Sequence, residues 1–311
     1  SPSPPLLLLL LLNLTAPLFT IRPAFAPPRL MTPAAAQATV TPTDLTFGDV
    51  ARLLGIALAR ESVAPGGTLS LRACWTALAP ITEDYTVFVH LIGAENSRPG
   101  ERYTYPGLGR FPTSLWPVGQ AFCDTYDVPV APWAAAPELN TVLIGLLDAE
   151  TGVRLPPSYD PPAVAQARVA PEKPPAIAPQ HPLDARLGDA VTLRGYDASP
   201  ELRSGAPLTV TLYWQAEHDV ARDYKVFVHL LDADNTLVAQ HDSLPRDGRY
   251  PTTAWRAGDL VPDAHTLVTD TLPPGQPLQL IVGMYDAATL ERLPVAGGGD
   301  FILLYEQQVI P

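Results

Sequence analysis

"DYKVFVHLLDADNTLVAQ", running from Asp223 to Gln240, has a partner in the same chain, "DYTVFVHLIGAENSRPGE" from Asp84 to Glu101. A short apolar run can recur by chance, so the first question is whether the match continues outward in register. It does. A single spacing of 139 residues relates Trp75 to Trp214, Asp84 to Asp223, His90 to His229 and Trp116 to Trp255. "FGDVARLLGI" from Phe47 matches "LGDAVTLRGY" from Leu187 at a spacing of 140, and "GLLDAETGVRLP" from Gly145 matches "GMYDAATLERLP" from Gly283 at 138. Blocks in one order with single-residue slips describe a duplicated domain with small loop insertions.

The length of 311 residues accommodates two such domains, each long enough to bury a core of its own. Within repeat two, "LTVTLYWQ" alternates, with Leu208, Val210, Leu212 and Trp214 on one face and Thr209, Thr211, Tyr213 and Gln215 on the other. That is the period of a half-buried strand. "KVFVHLL", a turn at "DADN" and "TLVAQH" give a hairpin, and further strands are expected at "VTLRGY", "LQLIVGMY" and "FILLYEQ". The 37 prolines, more than twice the ordinary share of about 5%, argue against long helices. The predicted fold is all-β: two tandem antiparallel β-sandwich domains, immunoglobulin-like or jelly-roll, with the early Trp of each repeat between its sheets.

The predicted boundaries are residues 44–170 and 183–311 for the two sandwiches, with "PEKPPAIAPQHP" at 171–182 as a Pro-rich linker. Residues 27–43, rich in Pro, Ala and Thr, read as an extended spacer with no core. Residues 1–26 contain the only strongly apolar run, Leu6 to Leu12 and its continuation to Ile21. One reading is the apolar region of a signal peptide with "AFA" at Ala24–Ala26 as its cleavage site. The other, which suits the lack of a basic stretch before it, is the outer end of a last transmembrane helix. Either places the repeats outside the cytoplasm, anchored to or released from a membrane.

Twenty basic against 32 acidic residues give a net charge of −12, which repels phosphate backbones and argues against nucleic acid as a partner. The two cysteines, Cys74 and Cys123, have Tyr213 and Pro262 as repeat equivalents, so no shared disulfide framework or metal site is expected. A single bridge within repeat one is a candidate, two free thiols being the plainer reading. No cofactor is expected.

Four groups of residues invite a chemical reading. His90 and His229 each sit in "VFVHL", yet their strand neighbours are apolar, so a hydrogen-bonded core histidine is the simpler expectation. "DADNT" from Asp232 resembles the start of a calcium loop but has no Gly at the sixth position and Ser243 at the twelfth, so a hairpin turn using Asn235 fits better. Asp148 and Asp286 would each serve glycoside hydrolysis only as a pair, and capping of the following turn is the expected role. The loops "GRFPTSLW" and "GRYPTTAW" repeat an Arg, a ring and a Trp: Arg110, Phe111 and Trp116, then Arg249, Tyr250 and Trp255. Such a set is a candidate glycan platform, widened by Tyr103 and Tyr105 in repeat one. Its rival reading has Trp116 and Trp255 plugging the open end of each sandwich.

"YKVFVHLLDADNTLVAQHD" from Tyr224, "YPTTAW" from Tyr250 and the "GMYD" and "ERLP" of Gly283 to Pro294 together resemble the sandwich repeats that follow the last membrane helix in bacterial proteins related to glycosyltransferase family 39, the protein mannosyltransferase type. The apolar segment Leu6 to Ile21 is similar to the exit from that helix. The resemblance implies a non-catalytic extracytoplasmic tail whose partners are glycan, a cell-surface polymer or the membrane part of the same protein. The acidic residues with which that family acts on its sugar donor lie in early loops with no counterpart here, so no catalytic residue carries over. The segment "RPGERYTYPGLG" departs from the repeat, and is expected to replace the second strand of the hairpin.

Overall fold

The computed structural model describes residues 27–199, 201–269, 272 and 274–310. The apolar run at 1–26, with its membrane and signal readings, lies outside the described residues. Among the described residues no helix is long and apolar enough to cross a membrane. The chain divides into two compact units, the first taking the residues up to Ala134 and Asn140–Ala167, the second Ala135–Leu139 and Arg168–Pro311.

The first unit begins with a one-turn helix α1 (Pro33–Gln37), followed by β1 (Thr41–Phe47), β2 (Ala51–Leu58), β3 (Ser62–Val63), β4 (Thr68–Ala77), β5 (Tyr85–Ile92), β6 (Gly100–Thr104), β7 (Ala121–Pro129), β8 (Glu138–Asp148) and β9 (Ala163–Val169), the ends Glu138–Leu139 of β8 and Arg168–Val169 of β9 counting with the second unit. They form two sheets, β1-β2-β4-β7 and β3-β9-β8-β5-β6. The second unit contains β10 (His181–Leu187), β11 (Val191–Ala198), β12 (Leu208–Ala216), β13 (Tyr224–Leu231), β14 (Leu237–Ser243), β15 (Leu260–Leu267), β16 (Pro277–Asp286) and β17 (Ile302–Gln308). Its sheets are β10-β11-β12-β15 and β14-β13-β16-β17. Apart from β3, which has no counterpart, this is the first unit's order, with β14-β13-β16-β17 matching β6-β5-β8-β9, so the chain holds two tandem antiparallel β-sandwiches.

Alternation sets the inner faces. On β12 the buried positions are Leu208, Val210, Leu212 and Trp214, and they join Val226, Val228 and Leu230 of the facing sheet in one core. Trp75 and Trp214 are fully buried. In the first unit Phe47, Trp75, Trp116 and Phe122 form a chain of tilted and edge-to-face rings with centroids 4.8–6.0 Å apart, a favoured arrangement for aromatic packing.

Three sequence expectations are corrected. Cys74 and Cys123 are not free thiols: they face each other across β4 and β7 and form a disulfide. The spacer at 27–43 is partly folded, because α1, capped by Thr32, sets Ala36 into a small cluster with Leu54, Cys74 and Ala121, and Met31 exchanges backbone hydrogen bonds with Ala121. The outer face of that sheet carries the disulfide and needs a cover, which a run of alanines is small enough to give. The segment "RPGERYTYPGLG" does not lose the hairpin, since β6 pairs with β5 from Val87↔Thr104 to Leu91↔Gly100.

Candidate functional site

The repeated aromatic loops are plugs. Trp116 is 4% and Trp255 0% exposed, with Phe111 and Tyr250 buried beside them. Each indole Nε1–H donates to the carbonyl five residues earlier, Trp116 to Phe111 at 3.1 Å and Trp255 to Tyr250 at 3.0 Å. A threonine clasps each loop to the strand before it: Thr113 Oγ1 donates to Glu83 O and accepts the Tyr85 N–H, and Thr252 Oγ1 does the same with Arg222 and Tyr224. Asp84 and Asp223 accept the N–H of Ser114 and Thr253. The stacking platform expected of Phe111, Trp116, Tyr250 and Trp255 is therefore corrected, because their faces meet protein and not solvent. Arg110 donates to the Gly107 carbonyl within its own turn, and the Arg249 carbonyl accepts the Leu139 N–H.

Tyr250 departs from Phe111 by a hydroxyl, and the difference is used. Its phenol lies 2.7 Å from Arg168 Nη2 and donates to Asp259 Oδ2 at 2.8 Å, while Arg168 pairs with the same carboxylate at 2.6 Å. Burial pushes the Tyr250 phenol well up, keeping it protonated.

His90 is a core histidine, 1% exposed, with Nε2 2.8 Å from the Tyr103 hydroxyl. Desolvation, with Arg98 and Arg154 adding to it, lowers its pKa from 6.5 to about 4. His229 differs: it is partly exposed and pairs with Asp242 at 2.9 Å. The second-sandwich residue at Tyr103's place is that Asp242, so one hairpin position supplies both partners. Asp148 Oδ1 accepts the N–H groups of Glu150 and Thr151, and Asp286 Oδ1 those of Ala288 and Thr289. These bonds hold both carboxyls below their ordinary range. They cap turns. Asp232 Oδ1 likewise accepts from Asp234 and Thr236 N–H, with Asn235 in the left-handed region at φ 60°.

The residue that sequence reasoning missed is Trp133. Four of the five tryptophans are paired by the duplication and buried; the fifth has Leu272 at its repeat position and is 68% exposed. The Ala134 N–H bonds to the Ala131 carbonyl at 3.0 Å, which makes Ala131–Ala134 a tight turn with Pro132 at its second position, where the fixed φ of proline fits, and Trp133 at its third. The Ala131 N–H to Pro99 carbonyl bond at 2.7 Å ties this turn to the β5–β6 loop. Between them lies an open trough of about 580 Å³ lined by Asn96, Arg98, Glu101 and Pro132 among others. Arg98 and Glu101 pair at 3.1 Å, so the trough offers amide, guanidinium and carboxylate groups with no net charge. Tyr103, also exposed, stands on β6 two residues beyond Glu101. The missing counterpart of Trp133 was the one signal in the sequence: it alone of the five tryptophans is not repeated.

Fold and site define a double β-sandwich with an exposed indole near an open, largely apolar trough that carries three polar side chains. No protein-family model and no curated protein matches the chain. Among solved structures, the C-terminal domain of wzt is 13% identical with a TM-score of 0.32, covering 43% of this chain and 83% of that one. A calcium-binding mutant of Bacteroides uniformis beta-glucuronidase 2 is 8% identical with a TM-score of 0.26, covering 78% of this chain and 26% of that one. Neither likeness carries further; the sandwich assignment stands on the strand pairings themselves.

Proposed function

We propose that this chain is a non-catalytic, extracytoplasmic pair of sandwiches that contacts neutral glycan through the first unit, as the tail of a membrane glycosyltransferase-like protein. The observation that carries the glycan reading is the exposure of Trp133 at the tip of a proline-fixed turn. An indole held in water offers a flat apolar face to the C–H side of a sugar ring, while neighbouring polar groups meet its hydroxyls. Asn96, Arg98 and Glu101 supply those groups. The net charge of −12 and the internally neutralised trough favour an uncharged polymer over an anionic one. Hydrolysis has no support from Asp148 and Asp286, whose carboxylates are occupied by backbone N–H groups. The extracytoplasmic reading is supported by the Cys74–Cys123 disulfide, since such bonds persist in oxidising compartments.

The test is electrophoresis of the purified chain through gels containing neutral polysaccharides. Retention that is lost in Trp133→Ala and kept in Arg110→Ala supports the reading; equal mobility of wild type with and without every polysaccharide overturns it. The tail reading is tested separately, by whether the coding frame before Ser1 encodes a series of apolar spans.

A further inference from the structure

Among the described residues of the first unit, the exposed leucine and valine side chains all stand at one end of the sandwich. At that end β4 and β8 finish and β5 and β7 begin, with the last residue of β6 beside them, as the pairs Thr76↔Ala121, Tyr85↔Asp148 and Val87↔Thr104 require. The loops there expose Leu78, Leu108, Leu115, Val118 and Val153, and Leu30 joins them just before the bridge from Met31 to Ala121.

The second unit shows that the fold does not need these side chains. At the repeat positions of Leu78, Leu108, Leu115, Val118 and Val153 it carries Glu217, Asp247, Ala254, Ala257 and Glu291, over the same tryptophan plug. Among the described residues of its corresponding loops, Leu290 is the exposed aliphatic side chain. Leu108 sharpens the contrast, because its backbone lies in the left-handed region at φ 55°, as that of Asp247 does at φ 54°. Aspartate tolerates that region and a bulky aliphatic residue does not. With 66% of its surface exposed, Leu108 gains little burial within the unit to offset the strain.

The first unit also differs in what the chain brings to it. Pro28 lies against the turn Pro106–Gly109, where a Cβ on Gly107 would sit 3.6 Å from the proline ring, so the chain enters beside Leu108. The apolar run Leu6 to Ile21 ends seven residues before Pro28, a length that reaches at most about 25 Å. A bilayer that receives the run is therefore within reach of these loops. In the same loops Asp49, Glu83, Asp84 and Glu150 outnumber Arg110 and Arg154, which disfavours attraction to anionic head groups and leaves apolar insertion as the source of contact.

We propose that this end of the first unit rests on a lipid bilayer, with Leu108, Leu115, Val118 and Val153 inserted among neutral head groups. The inference rests on the reading of the chain as the tail of a membrane protein, and adds to it the face that meets lipid. β7 begins at this end and finishes at Pro129, so Trp133 stands beyond its other end and stays free for glycan.

The test uses the full chain in phosphatidylcholine vesicles, with an environment-sensitive thiol dye on Leu115→Cys or on Trp133→Cys. Flotation with the vesicles reports on anchoring, and the dye reports on the loops. The dye at 115 is expected to shift to shorter wavelength and to be quenched by nitroxide-bearing lipid, and the dye at 133 to be quenched by aqueous iodide instead. Leu108→Asp with Val153→Glu, which installs acidic side chains as in the second unit, is expected to abolish the nitroxide quenching at 115 while the chain still floats. A chain that floats with the dye at 115 open to iodide overturns the lipid contact and leaves the tail reading standing, whereas a chain that does not float overturns both. Shielding from iodide without nitroxide quenching means that protein covers the loops, and nitroxide quenching unchanged in the double variant means that the tether alone brings them near; either result overturns the contact.

Discussion

The ring of Phe227 lies over Gly283 so closely that a Cβ on the glycine would sit 2.4 Å from its Cζ. The two residues are register partners on β13 and β16, and the Arg292 guanidinium carbon stands 4.4 Å from the ring centroid. The first unit repeats the arrangement, with Phe88, Gly145 at 2.5 Å and Arg154 at 4.7 Å. The recurring "VFVHL", "GLLD" or "GMYD" and "RLP" blocks are thus one assembly: a glycine leaves room for a ring, an arginine covers it, and an aspartate caps the turn between them.

Gly283→Ala should therefore destabilise the second unit by about 1–3 kcal/mol through overpacking. Phe227→Leu combined with Gly283→Ala should cost less than the sum of the two, because they share one space. Urea unfolding of the four proteins of this cycle measures both quantities, and additive costs would show that the ring and the glycine are energetically independent.

Trp255→Ala removes a fully buried indole and its hydrogen bond to Tyr250, and should cost about 3–5 kcal/mol. Trp133→Ala removes an exposed ring and should stay within about 0.5 kcal/mol of wild type. Thermal unfolding distinguishes the two. A large loss from Trp133→Ala would mean that its ring is part of the packing and not available to a ligand.

The contrast between these tryptophans marks what was legible in the sequence. The 139-residue spacing and the alternation of Leu208 to Trp214 lead directly to two sandwiches with a tryptophan between the sheets. The "GRFPTSLW" loop was ambiguous because an aromatic beside an arginine looks alike whether the ring turns inward or outward. The bond from Nε1 to the carbonyl five residues back decides it, and only the folded chain shows it. Ala36 hid in a composition typical of linkers, its value lying in small size over the disulfide. His241 on β14 and His265 on β15, whose Nδ1 atoms lie 2.8 Å apart, carry no spacing signal at all, since strands of different sheets bring them together.

Replacing both Cys74 and Cys123 by Ala should destabilise the first unit by up to about 4 kcal/mol, from the entropy of an unfolded loop whose ends are 49 residues apart. Denaturant midpoints of the double variant against wild type, each followed by near-ultraviolet circular dichroism, check this. No change would indicate that the cover by α1, and not the bond, holds that face.

His90 makes the first unit acid-sensitive. Its folded-state pKa is lowered to about 4, so between about pH 6.5 and about pH 4 the unfolded chain binds a proton that the native ring does not. Stability must rise with pH across that window and fall as the pH drops through it. His90→Gln should flatten this dependence for β5 and β6 in exchange measurements, and an unaltered slope would place the acid-sensitive group elsewhere.

The most direct test of the proposed glycan contact uses the tryptophans themselves. Trp75, Trp116, Trp214 and Trp255 are buried and Trp133 is exposed, so iodide quenching reports almost entirely on Trp133. Titration with a neutral polysaccharide should protect this fluorescence from iodide and shift it to shorter wavelength, and Trp133→Phe should remove the signal. Quenching that stays unchanged at saturating concentrations of every neutral polysaccharide tried would contradict the account.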